Sequence, residues 1–305
     1  MPTESFDESP LALEQRQREI LNSSSYRKAY KDEDFLTGSD AREIRLLTEY
    51  VKPMVAFRRH DIRSTIILFG SARILAPDVA HQMLDKAFKR LSEHPNSQTC
   101  QDEVRKAEQK VRMSRYYELA TKFASLITRE TLNNQKTTVK DYEKLHRYVI
   151  CTGGGGGIME AGNRGAAEAG GLSIGLNISL PHEQKPNPYI TPNLCFQFHY
   201  FAMRKLHFLL RAKALTVFPG GFGTFDELFE ALTLRQTNRM QPIPIVLFGK
   251  AFWEKCINFD YLVETEMISA SDLKLFTFVE TPEEGMQAIL DFYGRHQSGH
   301  LSKSN

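Results

Sequence analysis

Residues 214–232 read ALTVFPGGFGTFDELFEAL. Residues 214–218 are an apolar run of strand length, 219–224 form a glycine turn, and Phe225, Leu228, Phe229 and Leu232 recur at helical spacing. A strand without polar alternation is covered on both faces, as strands are in a parallel sheet. The same strand, turn and helix pattern recurs along the chain. Residues 65–69, 148–151, 173–178, 243–248 and 275–279 read as further buried strands. Helical spacing lies between them at Leu84, Ala87, Phe88 and Leu91, and over 115–129, 158–169, 201–213, 251–264 and 282–293. Alternating strands and helices predict an α/β chain, an open parallel sheet with helices on both faces.

The flanks have a different texture. Residues 1–60 read as a polar, helical N-terminal arm, with amphipathic spacing over 11–21 and 41–51. Pro53 is expected to end the second of these helices. Residues 22–40 read as a loop or arm, and 94–110 and 131–146 as helical or loop insertions at the sheet rim that form a solvated surface. The main domain is placed at 61–295, and 296–305 as a polar, frayed tail.

Composition narrows the function. The chain has 305 residues, 41% hydrophobic and 25% charged, which is the make-up of a soluble globular protein. Lys and Arg number 39 against 37 Asp and Glu, a formal charge of +2. A dedicated nucleic-acid binder needs a clear basic excess, so no nucleic acid is expected as a partner. No apolar run approaches a membrane span, and the acidic start MPTESFDESP lacks the form of a signal peptide. Cys100, Cys151, Cys195 and Cys256 form no C-x-x-C pair and read as free thiols. A cytoplasmic protein with no membrane partner, no metal and no cofactor is the expectation.

Three glycine turns follow predicted strands: Gly70-Ser71-Ala72-Arg73, the run Gly153 to Gly157 that contains Gly154 and Gly155, and Gly220-Gly221-Phe222-Gly223-Thr224. In an open parallel sheet, ligands bind beyond the carboxyl ends of the strands. Glycine admits an anion close to the backbone, and the following helix directs its N–H groups and positive dipole end toward it. There is no G-x-x-x-x-G-K-[ST], and the richest turns come late in the chain, so a mononucleotide fits better than a triphosphate or NAD.

Several reactive side chains accompany these turns. Thr224-Phe225-Asp226-Glu227 has T-x-x-E spacing, so Glu227 is either a capping-box residue or a carboxylate facing a sugar beside the anion. Arg204 and Lys205 place positive charge near a helix start, against the dipole, which suggests an anionic partner. Pro181-His182-Glu183-Gln184 follows a predicted strand and belongs to the same edge. Met159, Phe201 and Phe222 either flank a base or serve in packing.

Pro219 to Glu227 resembles the PGGxGTxxE signature of the Lonely Guy family, which comprises cytokinin-activating phosphoribohydrolases and related nucleotide nucleosidases. Gly153 to Ala161 is similar to the GGGPGIMEA form of its longer members, with Gly156 where proline is usual. Gly70 to Arg73, Leu180 to Gln184 and Arg204-Lys205 extend the resemblance, which covers about residues 65–293. It implies a Rossmann-like fold, a homodimer or larger homo-oligomer, and N-glycosidic cleavage of a nucleoside 5′-monophosphate such as AMP or N6-modified AMP. By the same resemblance Arg204 and Glu227 match the catalytic pair. Gly220, Gly221, Phe222, Gly223 and Thr224 match the phosphate turn. Glu183, Lys205, Asp226 and Thr233 match positions that contact substrate. Gly70, Ser71, Gly154, Gly155 and Met159 complete the expected binding set. Such sequences are also often labelled lysine decarboxylases, though nothing in the residues indicates a pyridoxal-phosphate site. The alternative is a non-catalytic carrier of a nucleotide or molybdenum cofactor on the same fold, which would need the glycine turns but not the Arg204/Glu227 pair.

Overall fold

The computed structural model describes residues 9–134, 148–179 and 185–301. The chain forms two units, Met1–Lys52 and Pro53–Asn305. In the first, α1 (Pro10–Asn22) and α2 (Glu33–Thr37) start at Ser9 and Asp32, whose side chains accept the N–H groups of Ala12 and Phe35. Residues 22–40, expected as a loop, thus contain a short capped helix. Helix α3 (Arg42–Arg59) does not end at Pro53 but carries it inside. An interior proline removes one backbone hydrogen bond and costs about 3 kcal/mol. Pro53 and Phe57 are buried on this helix, and their burial offsets that loss.

The second unit continues with β1 (Ser64–Phe69), α4 (Pro77–Glu93), α5 (Gln98–Asn134), β2 (Tyr148–Thr152), α6 (Ile158–Glu168), β3 (Ser173–Ile178) and β4 (Cys195–Phe198). Then come α7 (Phe201–Leu210), β5 (Ala212–Val217), α8 (Phe222–Gln236), β6 (Ile245–Phe248), α9 (Lys250–Cys256), α10 (Phe259–Glu264), β7 (Phe276–Val279) and α11 (Pro282–Leu301). The strands form one sheet in the order β4-β3-β2-β1-β5-β6-β7, every pair parallel. This is the expected Rossmann-like open parallel sheet.

Alternate residues of β1 feed opposite cores. Ile67 and Phe69 pack with Phe208 of α7, Leu228 of α8 and Trp253 of α9. Ile66 and Leu68 pack with Tyr116 and Phe123 of α5, Ala161 of α6 and Ile289 of α11. With both faces covered, all six residues of β1 are buried, which is why the strand shows no polar alternation.

Three local expectations change. Residues 98–110 are helical, but they are the first third of the 37-residue α5 and not a solvated insertion. Val104 and Ala107 are buried there against Leu84, Ala87 and Leu91 of α4. The helical pattern over 251–264 breaks into α9 and α10, because Asn258 accepts the Tyr261 N–H and starts a new helix. Helix α11 runs past Gly294 to Leu301, where a frayed tail was expected. Among the described residues, no helix is long and apolar enough to cross a membrane.

Strand order reverses between β1 and β5: the chain steps outward from β1 to β4, then returns to β5 on the other side of β1. The crevice beyond the carboxyl ends of the strands at such a switch is where an open α/β sheet binds ligand.

Candidate active site

A cleft of about 950 Å³ opens at that switch. Its walls are Phe69–Arg73 after β1, Gly153, Gly155 and Met159 after β2, Asn177 and Ile178 at the end of β3, Phe201 and Arg204 of α7, Gly221–Glu227 after β5, and Cys256. All three glycine turns therefore meet in one place.

The glycines of these turns do different work. Gly154 and Gly157 have φ of +75° and +66°, where a side chain is strained. A Cβ on Gly157 would also strike the backbone of Ser71 and Ala72, and Ile158 N–H donates to Ser71 O at 3.1 Å. The first and second turns thus lock together, and part of the five-glycine run is structural. Gly221 and Gly223 are the opposite case. Neither has positive φ, and a Cβ on either would meet nothing within 4 Å. Packing does not require glycine at these two positions, and their bare backbone leaves room for close approach from the cleft.

Gly221 is the N-cap of α8 and supplies no side-chain cap. Its carbonyl accepts from Thr224 N–H at 2.9 Å and Phe225 N–H at 3.1 Å. The N–H groups of Phe222 and Gly223, in the first turn, precede any intrahelical acceptor and carry the positive end of the dipole. This geometry also settles Thr224-Phe225-Asp226-Glu227. Thr224 is the third helical residue, not the N-cap, so the capping-box alternative for Glu227 is wrong.

Glu227 lies in the second turn of α8 and lines the cleft at 8% exposure. Burial drives its pKa up to about 7, against the opposing pull of Lys205 and Arg204, while Glu230 and Asp226 push it further up. It is thus a carboxyl that changes charge near neutrality, suited to proton transfer or to stabilising a nearby cation.

Arg204 is anchored to the sheet. Its Nε donates to Leu176 O at 2.7 Å, and the guanidinium stacks over the Phe208 ring at 5.2 Å. A Cβ on Gly153 would come within 2.5 Å of Arg204 Nη2 and 2.7 Å of Met159 Sδ, so the turn needs glycine there to admit both side chains. Burial lowers the Arg204 pKa, and the charge of Glu227 counters that fall. Arg204 and Glu227, predicted as a pair, are electrostatically coupled across one cleft.

Other expected residues are placed as follows. Gly70, Ser71, Gly155, Met159, Gly221, Phe222, Gly223, Thr224 and Asp226 line the cleft. Gly220 packs against the Thr224 side chain, and Gly154 against that of Asn177. Phe222 is 97% exposed at the mouth and takes no part in core packing. Lys205 is not in the lining; it bridges Asp226 at 2.9 Å and Glu230 at 3.0 Å. Thr233 lies exposed farther along α8 and is not among the lining residues. Glu183 and its neighbours at 180–184 lie outside the described residues. Sequence reasoning missed Asn177, whose Nδ2 donates to Cys195 Sγ at 3.3 Å, and it missed Cys256. The signal for Asn177 was one polar residue at the carboxyl end of an apolar strand.

Residues 159–289 match the family model described as "Possible lysine decarboxylase". The chain is similar to that family over this stretch. The match agrees with the resemblance to Lonely Guy proteins, which often bear the label. No curated protein matches the chain. Among solved structures, the chain is similar to the molybdenum cofactor binding protein of Rippkaea orientalis, at 19% identity and a TM-score of 0.40 over 58% of this chain and 88% of that one. It is also similar to the molybdenum cofactor carrier protein of Chlamydomonas reinhardtii, at 16% identity and a TM-score of 0.45 over 76% and 99%.

The family description implies pyridoxal phosphate, and the cleft does not fit it. No lysine is among the described residues that line it. The nearby Lys205 is bound by carboxylates. Burial alone would lower its pKa, but the hydrogen bonds to Asp226 and Glu230 raise it, so the amine stays protonated where a Schiff base needs it neutral.

Proposed function

We propose that this protein hydrolyses the N-glycosidic bond of a nucleoside 5′-monophosphate, AMP or an N6-modified AMP, giving free base and ribose 5-phosphate. The observation that carries this reading is the meeting of Glu227, Arg204 and the open glycine start of α8 in one cleft. A carrier needs the glycine turns but has no use for a buried carboxyl whose pKa lies at about 7.

The 5′-phosphate sits at the N–H groups of Phe222 and Gly223, where the dipole favours an anion. Its binding energy holds the ribose against Glu227. As the bond from C1′ to the base nitrogen lengthens, positive charge grows on the ribose, as in other glycoside cleavage. The Glu227 carboxylate stabilises that charge and takes a proton from the attacking water. The water oxygen ends on C1′, the base leaves with the bonding pair, and the proton taken by Glu227 passes to the base through solvent, which restores the carboxylate. Arg204, held by Leu176 O, offers its guanidinium to the negative charge of the departing base. Phe201 and Phe222, both exposed in the lining, offer apolar surface to a base ring.

This reading makes the phosphate essential. AMP is expected to exceed adenosine in kcat/KM by at least about 100-fold, the range of two or more charge-assisted hydrogen bonds. Equal kcat/KM for the two would remove the phosphate assignment.

A further inference from the structure

Behind the second glycine turn lies a buried polar network. Thr152 ends β2, Asn163 lies on α6 and Asn187 follows β3; they are 0%, 0% and 7% exposed. Thr152 Oγ1 accepts from Gly154 N–H at 3.0 Å and donates to Asn163 Oδ1 at 2.7 Å. Asn163 Nδ2 donates to Ile174 O at 3.1 Å. Asn187 Nδ2 faces three acceptors: Asn163 Oδ1 at 2.9 Å, Gly155 O at 3.0 Å and Gly154 O at 3.2 Å. Its Oδ1 accepts from Tyr189 N–H at 3.1 Å. Packing alone does not call for so many buried polar atoms, since apolar side chains of similar size could fill the space without partners.

Two successive carbonyls, Gly154 and Gly155, therefore point at one side chain. A trans peptide is planar, with its C=O and N–H directed oppositely. The N–H groups of Gly155 and Gly156 must then point away from Asn187. Gly155 lines the cleft, while Asn187 lies behind the turn and is not part of the lining. Neither N–H donates to another described residue.

We infer that Asn187 is a positioning residue: by pinning the Gly154 and Gly155 carbonyls, it directs the Gly155 and Gly156 N–H groups into the cleft as a second pair of donors for the phosphate. The inference rests on the function proposed above and deepens it, because the anion is then held from the β2 turn as well as from α8. Gly154 O also accepts the backbone N–H of Asn187 at 2.9 Å, so removing the side chain releases mainly the Gly155 carbonyl and leaves the turn tethered.

The test is calorimetric titration of Asn187→Ala with ribose 5-phosphate and, separately, with adenosine, well below the melting temperature. Ribose 5-phosphate affinity is expected to fall about tenfold or more, and adenosine affinity by less than twofold. Should the alanine variant not fold, Asn187→Ser, which keeps one small donor, reads the same ratio. Equal losses for both ligands would mean a merely structural role and would overturn the inference, as would unchanged ribose 5-phosphate affinity; either result leaves the proposed hydrolysis standing. A wild-type protein that binds ribose 5-phosphate but turns over no monophosphate would overturn the hydrolysis and leave the binding comparison to decide the role of Asn187. No wild-type affinity for ribose 5-phosphate would overturn both.

Discussion

Glu227→Gln is expected to lower kcat for AMP by about 10²- to 10³-fold, the usual loss for an electrostatic group that acts on transition-state charge. Glutamine keeps the size and removes the charge. Because Gly221 rather than Thr224 caps α8, no capping interaction is lost with it. The pH dependence follows from the same carboxyl. Its pKa is raised to about 7, and the ionised form is the active one, so wild-type kcat/KM should climb through pH 7. In Glu227→Gln that limb should vanish. The sign for stability is opposite. A folded pKa above the unfolded value means that the protonated form stabilises the fold, and this stability is lost as pH rises through about 7. Glutamine never ionises, so the melting temperature of the variant at pH 8 should be no lower than that of the wild type. Near-wild-type turnover would falsify the role of Glu227.

Gly223→Asp tests the other half of the site, again with a large effect. Gly223 is the second residue of α8, and a Cβ there meets open space. An aspartate in the first turn of a helix is favourable by about 0.3–1 kcal/mol, so the variant should melt at or slightly above the wild-type temperature. Its carboxylate would stand where the phosphate binds. Two unit charges 5 Å apart repel by about 3 kcal/mol at an effective dielectric of about 20. That corresponds to at least about a 100-fold loss of kcat/KM for AMP, with the slow turnover of adenosine unchanged. Unchanged AMP kinetics in a folded Gly223→Asp protein would place the phosphate elsewhere.

The chain was most legible where one local pattern decides the structure. Fully buried strands such as β1 show as unbroken apolar runs, because both faces need covering. Strand β4 was missed because Cys195–Phe198 is four residues long and only Phe196 and Phe198 are buried. The first third of α5 reads as solvated because Val104 and Ala107 are too sparse to form an apolar stripe, although the ridge of α4 covers them. At the site, the glycine turns were legible because each follows an apolar strand, and the Arg204/Glu227 pair came from the resemblance; the fold brings all of them to one cleft. The choice between capping and catalysis for Glu227 was not, because it depends on which residue begins the helix. Asn163 and Asn187 were silent for a related reason: a polar residue in sequence does not reveal the distant carbonyls it will hold. Lys205 was picked out by its charge near a helix start and Thr233 by the resemblance alone, and the fold puts neither in the lining of this cleft.

The central claim is bond cleavage, and the products decide it. The protein is to be incubated with a panel of nucleoside 5′-monophosphates that includes AMP and N6-prenylated AMP, and the mixture separated by chromatography. At least one member should give free base and ribose 5-phosphate in equal amounts. Tight binding of a monophosphate with no base released from any of them, or nucleoside and inorganic phosphate as the products, would contradict the account.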